Sequence, residues 1–143
     1  MSFLLSVDMG LKTGLALFGR DGRLIWYRSQ NYASGRRLKS AVHGIFKEQS
    51  DVSILVIEEA NRKNIKFFQI DADAWREKFL YKREQRSGKQ AKQNAQVIAK
   101  KVIEWSGAKR PAALRHDAAE AILAGLWGVL EAGWLKAVPK EIR

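Results

Sequence analysis

The chain has 143 residues, a length typical of one domain, and 46% of them are apolar, enough for a core without disulfides. The absence of cysteine excludes thiolate chemistry, iron–sulfur clusters and cysteine-bound zinc, and two histidines are too few for an all-histidine metal site. Lysine and arginine number 26 against 15 acidic residues, and the resulting net charge of +11 favours a polyanionic partner.

The first thirty residues carry the pattern of three strands. Residues 3–7 are almost wholly apolar and end at Asp8, which is typical of a buried strand running into a turn. Residues 14–18 form a second strand, and the sequence Gly-Arg-Asp-Gly at 19–22 predicts a hairpin turn into a third strand at 23–30. Three antiparallel strands are therefore expected to open the domain.

A helix and a second buried strand follow. Ser34 is a candidate N-cap for a helix that ends near Ser50, and its apolar residues recur at helical spacing. His43 lies among those apolar residues and is expected to pack in the core. Residues 52–57 are apolar except for one serine and are followed directly by Glu58. This pattern predicts a buried strand parallel to the first.

The segment after Glu59 does not fit a regular crossover between parallel strands. Only residues 60–66 separate Glu59 from the next strand-like run at 67–70, whereas a parallel crossover normally needs a dozen or more residues. Either this run pairs in another way or a crossover helix is absent, and the sequence leaves both alternatives open.

Three helices are predicted in the second half of the chain. Asp71 is a candidate cap for a short helix, and Ser87 for a longer one whose apolar residues recur at intervals of three and four over 91–105. Gly107 is expected to end that helix. The final helix runs over residues 115–131, and its many small residues would let it lie close to the sheet.

Acidic residues end both buried strands and begin the last helix. Open sheets bind ligands beyond the carboxyl ends of their strands, so Asp8 and Glu58 can reach one point if the two strands are neighbours. His116, Asp117 and Glu120 share one face of the last helix by their spacing. Carboxylate clusters without sulfur suit Mg²⁺ or Mn²⁺, and two such ions can promote phosphodiester cleavage.

Each of these acids also has a purely structural interpretation. Asp8 could cap the turn before Gly10, and Asp117 could be an acid favoured by the helix dipole. Glu120 could be the partner in a capping box. Glu58 could be only an exposed strand end, and a register shift of one residue would put Glu59 in its place. His116 could likewise be a helix cap.

The order of these strands, helices and acids resembles the RNase H-like fold. The segments LLSVDMGLKTGLALF, LVIEEA and RHDAAEAILAG are similar to those of the RuvC family of Holliday-junction resolvases, including phage and organelle relatives, over nearly the whole chain. The resemblance implies a single α/β domain over 1–143, with three antiparallel strands followed by parallel strands in a mixed sheet and helices on both faces.

The same resemblance implies an active site. It makes Asp8, Glu58, Asp117 and Glu120 the ligands of two Mg²⁺ ions, which Mn²⁺ can replace, and lets His116 assist proton transfer. Glu120 departs from the aspartate more usual in the family. The family's crossover helix after the fourth strand contributes to a homodimer, so the short segment after Glu59 puts that interface in question.

Basic residues are concentrated between residues 76 and 110, where eleven lysines and arginines face three acids. Five of them surround one loop and helix start and are predicted to bind DNA: Lys82, Arg83, Arg86, Lys89 and Lys92. Arg62 and Lys63 would extend this surface. Gly88 and Lys92 also resemble the family's G-x-x-x-K element, whose lysine approaches DNA near the cleaved phosphate.

The predicted function is that of a metal-dependent endodeoxyribonuclease that cuts branched DNA, resolving four-way junctions by paired nicks. Two alternatives remain open: a YqgF-like nuclease that processes ribosomal RNA precursors, and a non-catalytic nucleic-acid-binding module. The longest apolar run, residues 121–130, is far short of the ~20 residues of a membrane span. A cytoplasmic protein without a membrane partner is therefore expected.

Overall fold

A computed structural model describes residues 2–8, 12–31, 35–48, 52–57, 66–69, 72–109 and 114–143. The strands in these ranges are β1 Phe3–Asp8, β2 Thr13–Gly19, β3 Leu24–Gln30, β4 Val52–Ile57 and β5 Lys66–Gln69. The helices are α1 Gly35–Glu48, α2 Ala72–Phe79, α3 Gly88–Ser106 and α4 His116–Glu131, with a 3₁₀ turn at Lys82–Glu84 before α3.

The strands form one mixed sheet in the order β3-β2-β1-β4-β5. The pairs β1/β2 and β2/β3 are antiparallel, which confirms the three antiparallel strands predicted at the start of the chain. β4 lies parallel to β1 on its other side, and the register puts Val7 opposite Ile57. The carboxyl ends of β1 and β4 therefore lie side by side at one edge of the sheet.

β5 pairs in parallel with β4, with Lys66 opposite Ile54 and Gln69 opposite Ile57. The strand-like run expected at 67–70 is thus a sheet strand that starts one residue earlier. Residues 58–65 connect the two strands and lie outside the described residues. The connection is shorter than the dozen residues that a parallel crossover normally takes.

The last helix packs directly on the sheet, as its small residues predict. α4 contacts both β1 and β2, and its interior side chains are fully buried. A β-carbon at Gly125 would come within 2.2 Å of the Phe18 ring, so the glycine is what lets the aromatic side chain lie against the helix backbone. Leu4 and Ala16 complete the buried strand surface under α4.

On the other face of the sheet, side chains of β1 and β2 are buried as well. Its fully or almost fully buried side chains are Leu5, Val7, Leu15 and Leu17. On α1, Val42 and Ile45 form a buried stripe, but His43 is exposed. The expectation that His43 packs in the core is wrong, because it lies off the apolar stripe.

The helix ends agree with the predicted signals where the structure describes them. The Ser87 hydroxyl accepts a hydrogen bond from the Gln90 amide at 3.1 Å and caps α3, and Gly107 ends that helix with a left-handed φ of 70°. The other two candidate caps, Ser34 and Asp71, lie outside the described residues. Among the residues that are described, no helix is long and apolar enough to cross a membrane.

Candidate functional site

Three residues on neighbouring strands, Asp8, Gly14 and Ser29, form a cross-strand row at the end of the sheet where β1 ends. Gly14 on β2 is paired with Asp8 on one side and with Ser29 on the other. Directly opposed residues of antiparallel strands share a face, and Gly14 shares its face with Phe18, which contacts α4. The side chains of Asp8 and Ser29 therefore lie on the face that α4 covers.

The first turn of α4 sits on the centre of this row. A β-carbon at Gly14 would lie 1.9 Å from the backbone oxygen of Asp117, so the two backbones are in direct contact. The Asp117 carboxylate accepts a hydrogen bond from the Ser29 hydroxyl. Asp8 lies on the opposite side of Gly14, roughly 5 Å away across the strand pair. The fold thus places two acids that are more than a hundred residues apart in the chain beside the same glycine, with the Asp117 carboxylate bonded on the β3 side.

Glu58 lies outside the described residues, as does the alternative Glu59. The last described residue of β4, Ile57, is paired with Val7, the residue before Asp8. Within the described ranges, no group of three acidic or histidine side chains is close enough to hold a metal ion. The described part of the site supplies two carboxylates, Asp8 and Asp117, whose hard oxygen atoms are of the type that Mg²⁺ prefers.

Glu120 is placed one turn further along α4 and contacts an arginine of α2. Its Oε1 lies 3.9 Å from Arg76 Nη2, and both side chains are about one-fifth exposed. Arg76 Nε is buried and has no hydrogen-bond partner among the described residues. The capping-box interpretation of Glu120 is wrong, because Arg115 is the N-cap and the capping-box position is occupied by Ala118.

An open cleft of about 540 Å³ lies between α3 and the first residue of α4, and its lining residues are Gly88, Lys89, Lys92, Gln93, Gln96 and His116. His116 is the first residue of α4, is exposed and lines the cleft. It does not cap the helix, because the N-cap residue is Arg115. The Gln96 side chain donates a hydrogen bond to the Leu114 carbonyl at 2.9 Å and ties α3 to the segment that enters α4. Two of the predicted DNA-binding lysines therefore stand next to the start of α4.

The other three predicted DNA contacts, Lys82, Arg83 and Arg86, are exposed in the segment that leads into α3. Arg62 and Lys63 lie outside the described residues. The segment is anchored at Glu84, whose carboxylate accepts the Tyr81 amide at 2.9 Å and forms an ion pair with Arg143. The ion pair ties this basic segment to Arg143, 59 residues further along the chain.

Glu84 has a perturbed pKa. Partial burial by itself raises this pKa, but the hydrogen bond from the Tyr81 amide and the Arg143 guanidinium outweigh it. The pKa of Glu84 therefore lies below its usual value of 4.5. Glu84 is accordingly an anchoring carboxylate, charged at neutral pH, and not an acid that donates protons.

Sequence reasoning missed two residues of this site. Gly14 carries a signal that could have identified it, because a glycine inside a strand pattern often marks a close backbone approach. Ser29 carries none: it is one of several polar residues on β3, and only the pairing of the strands puts its hydroxyl beside Asp117.

No protein-family model matches the sequence, and no curated protein is similar enough in sequence to count as a relative. A Fowlpox virus resolvase, solved in complex with its substrate Holliday junction DNA, has a similar structure, with a TM-score of 0.55. The two sequences are 14% identical, and the superposition covers 92% of this chain and 96% of the other. At the level of the fold, this likeness confirms the resemblance to resolvases that the sequence motifs indicate.

Proposed function

We propose that this chain is a divalent-metal-dependent endonuclease of RNase H-like fold that cuts branched DNA, most specifically four-way junctions. The observation that carries the proposal is the placement of Asp8 and Asp117 beside the same residue, Gly14, at the carboxyl end of β1. The fold shared with a resolvase that was solved on Holliday junction DNA supports the choice of substrate.

The residues proposed to hold a pair of Mg²⁺ or Mn²⁺ ions are Asp8, Glu58, Asp117 and Glu120. All of them offer carboxylate oxygens, which hard divalent cations prefer, and the chain has no cysteine to compete. When bound, such ions stabilise the charge that develops on a phosphodiester during its hydrolysis. His116, exposed at the start of α4, is proposed to assist proton transfer.

The basic residues beside the acids are proposed to hold the DNA backbone. Lys89 and Lys92 share the cleft with His116, and the whole chain carries a net charge of +11. Lysines next to a cleavage site neutralise phosphates and fix the backbone in register without reading its sequence. This arrangement suits a substrate that is recognised by its branched shape.

Resolution of a four-way junction requires two nicks in strands of like polarity, so we propose a homodimer that presents two such sites. Sedimentation in the presence and absence of junction DNA measures the oligomeric state of the protein directly. A monomer that introduces single nicks would restrict the function to that of a structure-specific nickase.

The decisive experiment is incubation with labelled four-way, flap and linear DNA and with structured RNA, in Mg²⁺, Mn²⁺ or chelator. Symmetric nicks confined to the junction and dependent on the metal are expected. The Asp8→Asn variant should bind the junction with unchanged affinity and fail to cut it. Asp21→Asn, the same change at the hairpin turn at the far end of β2, is the matched control and should cut normally.

Other outcomes separate the alternatives. Metal-dependent cutting of structured RNA in preference to the junction would favour the nuclease that processes ribosomal RNA precursors. Binding of nucleic acid without cutting in any metal would favour the non-catalytic module. Full activity of Asp8→Asn would contradict the proposed site itself.

A further inference from the structure

The Ser29 side chain makes a contact that reaches from the sheet to α4. It lies on β3, an edge strand, and donates its hydroxyl hydrogen to Asp117 Oδ2, 88 residues further along the chain. Both side chains are half-buried. A hydrogen bond to a charged carboxylate in such surroundings is stronger than one between neutral groups.

Two contacts from the sheet fix Asp117 in place. Its backbone is pressed against Gly14, and its carboxylate is held by Ser29 on the next strand outward. Ser29 and Asp8 flank Gly14 in the same cross-strand row. The serine therefore restrains the side chain of Asp117 on the sheet face where Asp8 also lies.

An acid in the first turn of a helix has a competing position. The first N–H groups of a helix lack intrahelical partners and attract carboxylates. In α4 those groups receive no side-chain cap, because the N-cap residue Arg115 makes none. Without the Ser29 hydroxyl, the Asp117 carboxylate is free to turn back toward the N–H groups of its own helix.

We infer that Ser29 is a positioning residue that keeps the Asp117 carboxylate on the sheet, where it can bind a divalent cation, instead of at the start of its own helix. The inference rests on the proposed function, since it makes Asp117 a ligand of that cation. Outer hydrogen-bond partners of metal ligands typically change metal affinity by about 10- to 100-fold when they are removed.

The test is Mn²⁺ binding to the protein without DNA, measured by titration calorimetry, together with the thermal midpoint of each variant without metal. Ser29→Thr and Ser29→Val have nearly the same shape, and both suit a strand, but only threonine keeps the hydroxyl. We expect Ser29→Thr to retain the wild-type affinity and Ser29→Val to lose about tenfold. Ser6→Ala is a matched control, because the Ser6 hydroxyl is buried on the same sheet face and has no hydrogen-bond partner among the described residues.

The outcomes separate this inference from the proposed function. Equal Mn²⁺ affinity of Ser29→Val and Ser29→Thr overturns the inference, even if the wild-type protein cuts junctions in a metal-dependent way. A wild-type protein that binds no Mn²⁺ and cuts no junction overturns both. If Ser29→Val loses affinity while its thermal midpoint matches that of Ser29→Thr, the hydroxyl acts on the metal site and not on folding.

Discussion

The backbone carbonyl of Asp117 lies so close to Gly14 that a β-carbon at position 14 would sit 1.9 Å from the carbonyl oxygen. This contact seats the first turn of α4 on β2, between the strand that carries Asp8 and the strand that carries Ser29. A glycine in the interior of a strand costs stability, and here the cost is offset by the closeness of the helix.

Gly14→Ala should therefore displace the start of α4. The added methyl group meets backbone atoms that cannot rotate away, so we expect the free energy of unfolding to fall by about 1–3 kcal/mol and junction cutting to be lost. Urea denaturation and the cutting assay measure the two effects. The control is Gly44→Ala in α1, where a β-carbon meets nothing within 4 Å and alanine favours the helix by up to about 1 kcal/mol. Equal stability of the two variants would contradict the close contact between Gly14 and the first turn of α4.

Lys92→Ala should weaken junction binding in a salt-dependent way. Lys92 lines the cleft beside His116, and each lost phosphate contact reduces the slope of log affinity against log salt by about 0.9. Fluorescence anisotropy at several salt concentrations gives this slope. Lys101 is exposed on the opposite side of α3, since nine residues turn a helix by about 180°, and Lys101→Ala should leave the slope unchanged. Identical slopes for the two variants would place the DNA elsewhere.

Arg76→Met should strengthen Mn²⁺ binding. Arg76 Nη2 lies 3.9 Å from Glu120 Oε1, so the guanidinium pairs with that carboxylate and repels any cation bound nearby. Partly exposed ion pairs contribute up to about 1 kcal/mol, which corresponds to a gain of about fivefold at most. Lys78→Met is the control, because it removes the same charge from α2 at a residue paired with Glu131 at the far end of α4. An unchanged affinity in Arg76→Met would remove Glu120 from the set of metal ligands.

Glu84→Gln should destabilise the protein at neutral pH but not in acid. Because the pKa of Glu84 is lower in the folded chain than its usual value of 4.5, the ionised carboxylate stabilises the fold above pH 4.5. That stabilisation is lost as the pH falls from 4.5 through the lower folded pKa. Urea denaturation of both proteins at pH 7 and at decreasing pH should show the difference shrink. The exposed Glu141→Gln serves as the control, and a difference independent of pH would contradict the charged anchor.

Much of the fold could be predicted from local patterns. The first and fourth strands follow from nearly apolar runs that are followed by acids, and the cap at Ser87 and the stop at Gly107 follow directly from side-chain and backbone chemistry. The partner of the run at 67–70 could not be predicted, because strand pairing depends on which edge is available after β4 has joined the sheet. His43 was misplaced because one residue along a helix turns a side chain by about 100°.

The sequence by itself determined the chemistry available to this protein: carboxylates at the ends of apolar strands, an excess of lysine and arginine, and no sulfur ligand. These are properties of residue type and spacing, and they persist in any fold. Only the tertiary structure decided which of these groups meet. The backbone of Asp117 lies over Gly14, between Asp8 and Ser29 in the cross-strand row, because strand register and the missing side chain of Gly14 allow a helix end to rest on the sheet at that position.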